Sequence, residues 1–258
     1  MSLKVVIIGG VAAGPKAGCR IKRLMPQAQV IMLDRDDLIS YGGCGIPFYV
    51  SGDVSELSGL MSTSFHMVRD AEFFRGAKGI EVRTSHEALS IDRAAKTVRV
   101  LDVKAGSEYD LDYDFLVIAT GSRPIALPDT TFEKGGRIMS STAALGLPDV
   151  PRRMLVVGGG YVGLEIGMIY AALGSEIHLV EMGDRLLPGI DEDLVAPLRR
   201  RLDTAFGAIH LNTRVAEVKA REEDVEVVFS GDGEDPGGAF DRVLLAIGRS
   251  PNTRGLGL

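Results

Sequence analysis

The sequence contains one cysteine whose setting suggests redox chemistry and two glycine-rich segments whose spacing suggests nucleotide binding. Cys44 lies in the segment Ser40-Tyr41-Gly42-Gly43-Cys44-Gly45-Ile46-Pro47-Phe48. The glycine segments are Gly9–Gly14, upstream of this cysteine, and Gly158–Gly163, far downstream. Two dinucleotide sites and one placed thiol describe an electron path from one bound dinucleotide through the other to sulfur. This path is the central functional hypothesis.

The second glycine segment, Gly158-Gly159-Gly160-Tyr161-Val162-Gly163, follows a short apolar run and opens a helical pattern. In this context Gly158 permits a tight turn, Gly160 lets a pyrophosphate approach the backbone, and Gly163 lets the helix pack on the strand. The N–H groups of the first helical turn, at Tyr161 and Val162, and the positive end of the helix then hold the phosphates. The alternative is a glycine turn that binds no ligand.

Glu181 ends the strand that follows this helix. A carboxylate at this position accepts hydrogen bonds from ribose hydroxyls and repels a 2′-phosphate. We therefore expect NADH as the nucleotide, with NADPH less favoured.

The first glycine segment, Gly9-Gly10-Val11-Ala12-Ala13-Gly14, has Val11 where a glycine is expected. It nevertheless follows an apolar run at the N-terminus, and Asp34 ends the next strand as Glu181 does in the second segment. This context favours a second dinucleotide site.

The glycines around Cys44 favour exposure of its thiol near a ligand. If Cys44 begins a helix, the positive helix end stabilises its thiolate, which is the nucleophile in exchange with a disulfide. The alternative is a small buried side chain. Cys19 falls among apolar residues of the first helix and is interpreted as core packing.

Composition and residue pattern exclude several other classes of function. A net charge of −6 argues against nucleic acid as the main partner. Two cysteines are too few for a disulfide scaffold, and the four histidines match no metal-ligand spacing, so no metal is expected. The N-terminus lacks a long apolar segment of the kind found in signal peptides, which predicts a cytoplasmic location. The apolar stretch 154–174 is interpreted as a buried strand, a turn and a helix rather than a membrane span.

The hydrophobic pattern predicts an α/β fold with two Rossmann-like domains, each with a parallel sheet, helices and a small antiparallel ribbon. Strands are expected at 4–8, 30–34, 114–119, 154–157 and 242–247, and a helix at 15–25. The runs 80–83, 88–91, 97–101 and 109–113 are assigned to the first ribbon, and Phe65, Phe73 and Phe74 to the core. The predicted boundaries are a first domain at 1–121, a crossover linker at 122–151, a second domain at 152–248 and a returning segment at 249–258.

Four motifs in order carry a resemblance to a known family: Gly9–Gly14 with Asp34, Ala119-Thr120-Gly121, Gly158–Gly163 with Glu181, and Ala246-Ile247-Gly248-Arg249 followed by Pro251-Asn252. The chain resembles the pyridine nucleotide–disulfide oxidoreductases. The resemblance implies FAD in the first site and NAD(P)H in the second. It further implies flavin contacts at Arg35, Ser40, Ala88, Thr120 and Gly121, nucleotide contacts at Gly248, and a place near the nicotinamide for Glu165. The alternative for Glu165 is a buried carboxylate paired with a lysine or arginine.

Within the family, the pattern Ser40-Tyr41-x-x-Cys44-x-x-Pro47-Phe48 is similar to the single-cysteine branch of coenzyme A disulfide reductases, NADH oxidases and persulfide reductases. It implies that Cys44 stands by the flavin and cycles through a mixed disulfide or a sulfenic acid. This branch commonly has asparagine where Gly43 stands here. Residues 122–258 resemble dihydrolipoamide dehydrogenases instead, but those enzymes use two cysteines about five residues apart, and Cys44 has no such neighbour.

The expected partner is therefore a small-molecule disulfide or persulfide, with neither nucleic acid nor membrane as a partner. Alternatives are an NADH oxidase or peroxidase that uses a sulfenic acid, an enzyme like dihydrolipoamide dehydrogenase, or a truncated nucleotide-binding module without turnover. The resemblance implies a homodimer built by a C-terminal domain. No counterpart of that domain is expected in these 258 residues, so the oligomeric state stays open.

Overall fold

A computed structural model describes residues 2–50, 52, 54–231 and 237–257. The chain divides into two compact units, residues 1–122 with 251–258 and residues 123–250. No helix in the described part of the chain is both long and apolar enough to span a bilayer.

The first unit is built on a four-stranded parallel sheet with a three-stranded antiparallel ribbon. The parallel sheet has the order β3-β2-β1-β7, and the ribbon has the order β4-β5-β6. The strands are β1 (Lys4–Ile8), β2 (Gln29–Leu33), β3 (Ile80–Arg83), β4 (His86–Asp92), β5 (Thr97–Asp102), β6 (Ser107–Asp112) and β7 (Phe115–Ile118). The helices are α1 (Ala13–Leu24), α2 (Ile46–Val50), α3 (Leu57–Met61) and α4 (Ala71–Lys78), and a 3₁₀ turn spans Gly43–Gly45.

The second unit repeats this plan with a five-stranded parallel sheet, in the order β12-β11-β10-β15-β9, and a two-stranded ribbon, β13-β14. The strands are β9 (Ile138–Ser140), β10 (Arg153–Val157), β11 (Glu176–Val180), β12 (Ala208–His210), β13 (Thr213–Ala220), β14 (Val225–Gly231) and β15 (Arg242–Leu245). The helices are α5 (Ser141–Leu145), α6 (Tyr161–Ala172) and α7 (Glu192–Ala205). The short strands β8 (Ser122–Pro124) and β16 (Arg249–Pro251) pair where the chain enters and leaves this unit.

Each parallel sheet is buried on both faces, which is why its central strands are continuous apolar runs. In the first unit, Val5 and Ile7 of β1 pack in one cluster, with Phe74 of α4, while Val6 and Ile8 pack in another, with Val98 of the ribbon. The second unit divides in the same way between a helix-side cluster and a ribbon-side cluster. The α/β fold class is thus confirmed.

Three details of the predicted organisation are wrong. The run 80–83 is not part of the ribbon: it pairs parallel with β2 as the edge strand β3, where one neighbour suffices and an alternating pattern is tolerated. Phe65 is 85% exposed, because it lies in the turn between the bridged residues Ser62 and Val68. The segment 122–151 is more than a linker, since strand β9 pairs with β15 and helix α5 buries Ala144 in the core.

Candidate functional site

The first glycine turn joins β1 to α1 and admits no side chain at two positions. Gly9 has φ +112°, and a Cβ there would lie 2.1 Å from the carbonyl oxygen of Ala119. A Cβ on Gly14 would lie 1.8 Å from the carbonyl oxygen of Gly9. The close approach of strand, turn and helix therefore depends on both glycines.

Asp34 lies beside this turn because the β1–β2 register pairs Ile8 with Leu33, so the residues that follow these two are neighbours. One carboxylate oxygen accepts the Gly10 N–H at 2.6 Å, and the other accepts the Asp36 N–H at 3.0 Å. The carboxylate is thus held at the open end of the turn, where a ribose would lie in a dinucleotide.

Ser40 brings the chain back into contact with the first glycine turn. Its N–H donates to the carbonyl oxygen of Gly10 at 2.8 Å, and its φ of +51° is unusual for a residue other than glycine. The segment that carries Cys44 begins directly after this contact. Cys44 therefore stands four residues from a backbone hydrogen bond to the glycine turn.

The second glycine turn has the same construction. Gly158 has φ +109°, a Cβ on it would lie 2.5 Å from the Ala246 carbonyl oxygen, and a Cβ on Gly163 would lie 2.3 Å from the Gly158 carbonyl oxygen. Gly160 differs, since a Cβ there would meet nothing within 4 Å. The missing side chain at Gly160 therefore leaves open space beside the turn and is not required for packing within the protein.

Glu181 repeats the role of Asp34. One carboxylate oxygen accepts the Gly159 N–H at 2.7 Å and the other accepts the Gly183 N–H at 2.7 Å. Leu187, with φ +50°, donates its N–H to the Gly159 carbonyl oxygen at 3.0 Å, as Ser40 does to Gly10. The repeat between the units thus extends beyond the glycine motif to the whole loop that follows the acidic residue.

The helices that begin at the two turns leave their first N–H groups available. Neither α1 nor α6 has a side-chain cap or an acidic residue in its first turn. By contrast, Asp70 caps α4 and Ser140 caps α5 through side-chain oxygens. N–H groups without a side-chain cap, in a first helical turn that contains no acidic residue, suit an anion such as a pyrophosphate. In the first unit these groups belong to Ala13 and Gly14, directly after Val11 and Ala12.

A cavity of about 430 Å³ lies within the second unit, above the carboxyl ends of its parallel strands. Six of the residues predicted to bind the nucleotide line it: Gly158, Gly160, Tyr161, Val162, Glu181 and Gly248. Residues that were not predicted also line it, among them Ser141, Met182, Thr213, Arg214, Val215 and Arg249. The place of the cavity at the strand ends is typical of dinucleotide sites.

The closing strands β7 and β15 end in equivalent turns at Thr120-Gly121 and Ile247-Gly248. Asn252 fastens the first of these: its side-chain amide donates to the Thr120 carbonyl oxygen at 3.0 Å, and its N–H donates to the Gly121 carbonyl oxygen at 3.0 Å. The Thr120 hydroxyl in turn donates to the Asn252 carbonyl oxygen at 2.5 Å. The sequence motif contained Asn252, but its role depends on contacts that only the fold reveals.

The two cysteines lie in different environments. Cys44 is exposed in the 3₁₀ turn that precedes α2, and Cys19 is half-buried on α1 against the helix-side core. Both are free thiols. The core-packing interpretation of Cys19 is confirmed, and Cys44 is the thiol that a small molecule can reach.

Glu165 lies on α6, one turn beyond Tyr161, and is half-buried. Burial raises the pKa of its carboxyl group above the ordinary value. Among the described residues its carboxylate has no ion-pair partner, so the predicted alternative of pairing with a lysine or arginine is not observed.

Two residues assigned to the flavin site lie away from the first turn's hydrogen bonds. Arg35 is exposed, with its guanidinium 3.8 Å from the carboxylate of Asp36. Ala88 lies at an irregularity of ribbon strand β4 and packs against the ribbon-side core. The structure therefore brings Asp34 and Ser40 to the turn directly, and Arg35 only as the neighbour of Asp34.

The donor sets at the two turns fit dinucleotides. Each offers a glycine-lined approach, uncapped helical N–H groups and a fixed carboxylate, which match the pyrophosphate and the ribose of FAD or of a nicotinamide dinucleotide. In the second unit the open space at Gly160 and the adjoining cavity add room for the nicotinamide nucleotide.

The chain is similar in sequence to a known family of proteins. The family model described as pyridine nucleotide-disulphide oxidoreductase matches residues 3–258. The dihydrolipoyl dehydrogenase of Bacillus subtilis is 39% identical over 173 residues, which cover 67% of this chain and 36% of that protein.

Two solved structures resemble nearly the whole chain. An NAD-dependent persulfide reductase from A. fulgidus is 33% identical with a TM-score of 0.78, over 97% of this chain and 47% of that one. A water-forming NADH oxidase from Lactobacillus brevis, bound to NADH, is 27% identical with a TM-score of 0.77, over 98% of this chain and 55% of that one. The chain thus spans about half the length of these structures.

Proposed function

The chain belongs to the pyridine nucleotide-disulphide oxidoreductase family, and from this premise we propose that it carries electrons from NADH to a small disulfide or persulfide through Cys44. The observation that supports this most directly is the position of the thiol. Cys44 is exposed and follows a loop whose Ser40 N–H is bonded to the Gly10 carbonyl oxygen of the first glycine turn. The likeness to a persulfide reductase along almost the whole chain supports the same substrate class.

The residues of the chain divide the work between the two units. The Gly158 turn and Glu181 bind and orient NADH, and the Gly9 turn and Asp34 hold FAD by its pyrophosphate and ribose. FAD, when bound, would relay two electrons from NADH to sulfur. Glu165 lacks a cationic partner and stands near the helix start, where a half-buried carboxyl group can hold a proton near the nicotinamide.

The sulfur step at Cys44 is an exchange reaction. The Cys44 thiolate attacks one sulfur of a disulfide RS–SR, the S–S bond breaks, and RS⁻ leaves as a Cys44–SR mixed disulfide forms. Two electrons from NADH, and a proton, then reduce the mixed disulfide to the Cys44 thiolate and RSH. The balance is NADH, H⁺ and RSSR to NAD⁺ and two RSH.

A pair of cysteine variants tests this proposal. Cys44→Ser should abolish NADH-dependent reduction of coenzyme A disulfide or of a persulfide under anaerobic conditions, while the FAD content is retained. Cys19→Ser is the matched control and should keep the activity, because Cys19 packs on α1. Unchanged disulfide reduction by Cys44→Ser would refute the role of the thiol.

A second candidate function is an NADH oxidase in which Cys44 forms a sulfenic acid. The likeness to a water-forming NADH oxidase favours it, as does the presence of a single exposed thiol. Oxygen consumption with NADH and no disulfide distinguishes the two: rapid uptake that Cys44→Ser removes supports the oxidase. A dihydrolipoamide dehydrogenase reaction is less well supported, because Cys19 packs half-buried on α1 against the core and does not supply the second cysteine, about five residues from Cys44, that those enzymes use.

A further inference from the structure

One cation on the rim of the nucleotide cavity has no role in the proposed chemistry. Arg214 lines the cavity together with Glu181. The two are neighbours through the backbone: the Thr213 N–H donates to the Glu181 carbonyl oxygen at 3.0 Å, and the Asn212 N–H donates to the Gly183 carbonyl oxygen at 2.9 Å. The segment that presents Arg214 is thus fastened to the segment that presents Glu181.

The guanidinium group of Arg214 is exposed and, within the described ranges, forms no hydrogen bond or ion pair. The other arginine on the cavity wall, Arg249, donates to the Ser141 hydroxyl at 3.3 Å. Arg214 is therefore a cation that remains available to a ligand at the end of the cavity marked by Glu181.

This end of the cavity is where the adenosine ribose lies if the Gly158 turn binds the pyrophosphate. Glu181 cannot easily turn away, because both of its carboxylate oxygens accept backbone N–H groups. A phosphate on the 2′-oxygen would therefore meet a fixed carboxylate and an available guanidinium at once. Guanidinium groups bind phosphate well, because they combine full charge with paired donors.

Resting on the proposed function, we propose that Arg214 is a specificity-determining residue that attracts a 2′-phosphate and limits the preference for NADH that Glu181 imposes. Glu181 and Arg214 act in opposite directions on the same group. Removing the carboxylate alone therefore exposes the attraction, and removing both charges cancels it.

The test measures binding of ADP-ribose and of 2′-phospho-ADP-ribose by calorimetry, so that it does not depend on turnover. Glu181→Gln should tighten binding of the 2′-phosphorylated compound at least 10-fold. Adding Arg214→Gln should weaken that binding at least 5-fold and change the binding of ADP-ribose less than 2-fold, while Arg214→Lys should keep part of the gain. Arg201→Gln, an exposed arginine on α7 away from the cavity, is the matched control for the change in net charge.

The outcomes separate the two levels of the proposal. If Arg214→Gln in the Glu181→Gln background leaves both affinities unchanged, or weakens both equally, Arg214 has no role in specificity. If the wild-type protein binds neither compound, the nucleotide site of the proposed function fails, and the inference fails with it.

Discussion

The two units share the same glycine turn and the same fixed carboxylate, and they differ in the segment that follows. In both, a glycine of positive φ contacts the carbonyl oxygen of an alanine, Ala119 in the first unit and Ala246 in the second. In both, a carboxylate accepts two N–H groups, and a non-glycine residue of positive φ, Ser40 or Leu187, closes the loop. Backbone geometry is thus what the repeat preserves.

The difference begins after the closing residue. In the first unit the chain continues into the exposed 3₁₀ turn that carries Cys44, and in the second it continues into helix α7. The second unit has Gly160 and open space where the first has Val11. The two units thus share the loop that follows the acidic residue, and in the first unit this loop leads to an exposed thiol.

The largest expected effect tests whether the two turns are equivalent. Gly9→Ala and Gly158→Ala should each lower the free energy of unfolding by about 1–3 kcal/mol, because each forces an alanine to positive φ against a carbonyl oxygen. Urea unfolding followed by circular dichroism measures this. If only one of the two variants loses stability, the two turns are not equivalent. Gly160→Ala is the control, because a Cβ at that position meets no atom within 4 Å.

The next effect separates the cofactors of the two units. Asp34→Asn should reduce FAD retention about 10-fold and leave the affinity for NADH unchanged. The amide cannot accept both of the N–H groups that fix the carboxylate beside the turn, and it is a weaker acceptor for a ribose hydroxyl. Glu181→Gln should reduce NADH affinity and leave FAD retention unchanged. The FAD content after gel filtration and NADH titration by fluorescence give the two readouts. A reversed pattern would show that the cofactors are assigned to the wrong units.

A smaller effect concerns the third position of each turn. Gly160→Val should fold normally but raise KM for NADH about 5-fold, because its side chain takes up the open space beside the cavity. The reciprocal Val11→Gly should change FAD retention less than 2-fold. If Gly160→Val binds NADH as the wild type does, the open space at Gly160 does not serve the nucleotide.

The smallest effect is a pH dependence at Glu165. Burial raises its pKa in the folded state, so ionisation of this group costs stability. The contribution is favourable below the ordinary pKa of glutamate and is lost as the pH rises through the raised value. Glu165→Gln should remove this step, so that the difference in Tm between wild type and variant changes with pH in the acidic range. A constant difference would contradict the assignment.

The parts of the fold that were predictable from sequence are those in which the residue type alone indicates burial or a turn. The strands β1 and β10 are continuous apolar runs, and the two glycine turns are recognisable from the spacing of their glycines. The edge strand β3 was assigned to the wrong sheet, because Ile80-Glu81-Val82-Arg83 alternates as a ribbon strand does. Phe65 was placed in the core, because its sequence neighbours do not reveal that the turn projects outward.

The site was predictable only where chemistry and sequence position coincide. Asp34, Glu181 and Cys44 stand in recognisable patterns. Asn252 bonds to Thr120, which is distant in the chain, and Arg214 reaches the cavity only because the neighbouring Thr213 pairs with Glu181. No local sequence signal marked either position. The match between Ser40 and Leu187 is equally hidden, because the two loops share backbone conformation rather than side chains.

The central claim is that the two glycine turns of this chain hold FAD and NADH for electron transfer to Cys44. The most direct test is the visible absorption spectrum of the purified protein, reconstituted with FAD, before and after one equivalent of NADH without oxygen. The account predicts a flavin spectrum that bleaches on addition of NADH and recovers when a small disulfide is added, but does not recover in Cys44→Ser. A protein that cannot bind FAD, or a flavin spectrum that NADH leaves unchanged, would contradict it.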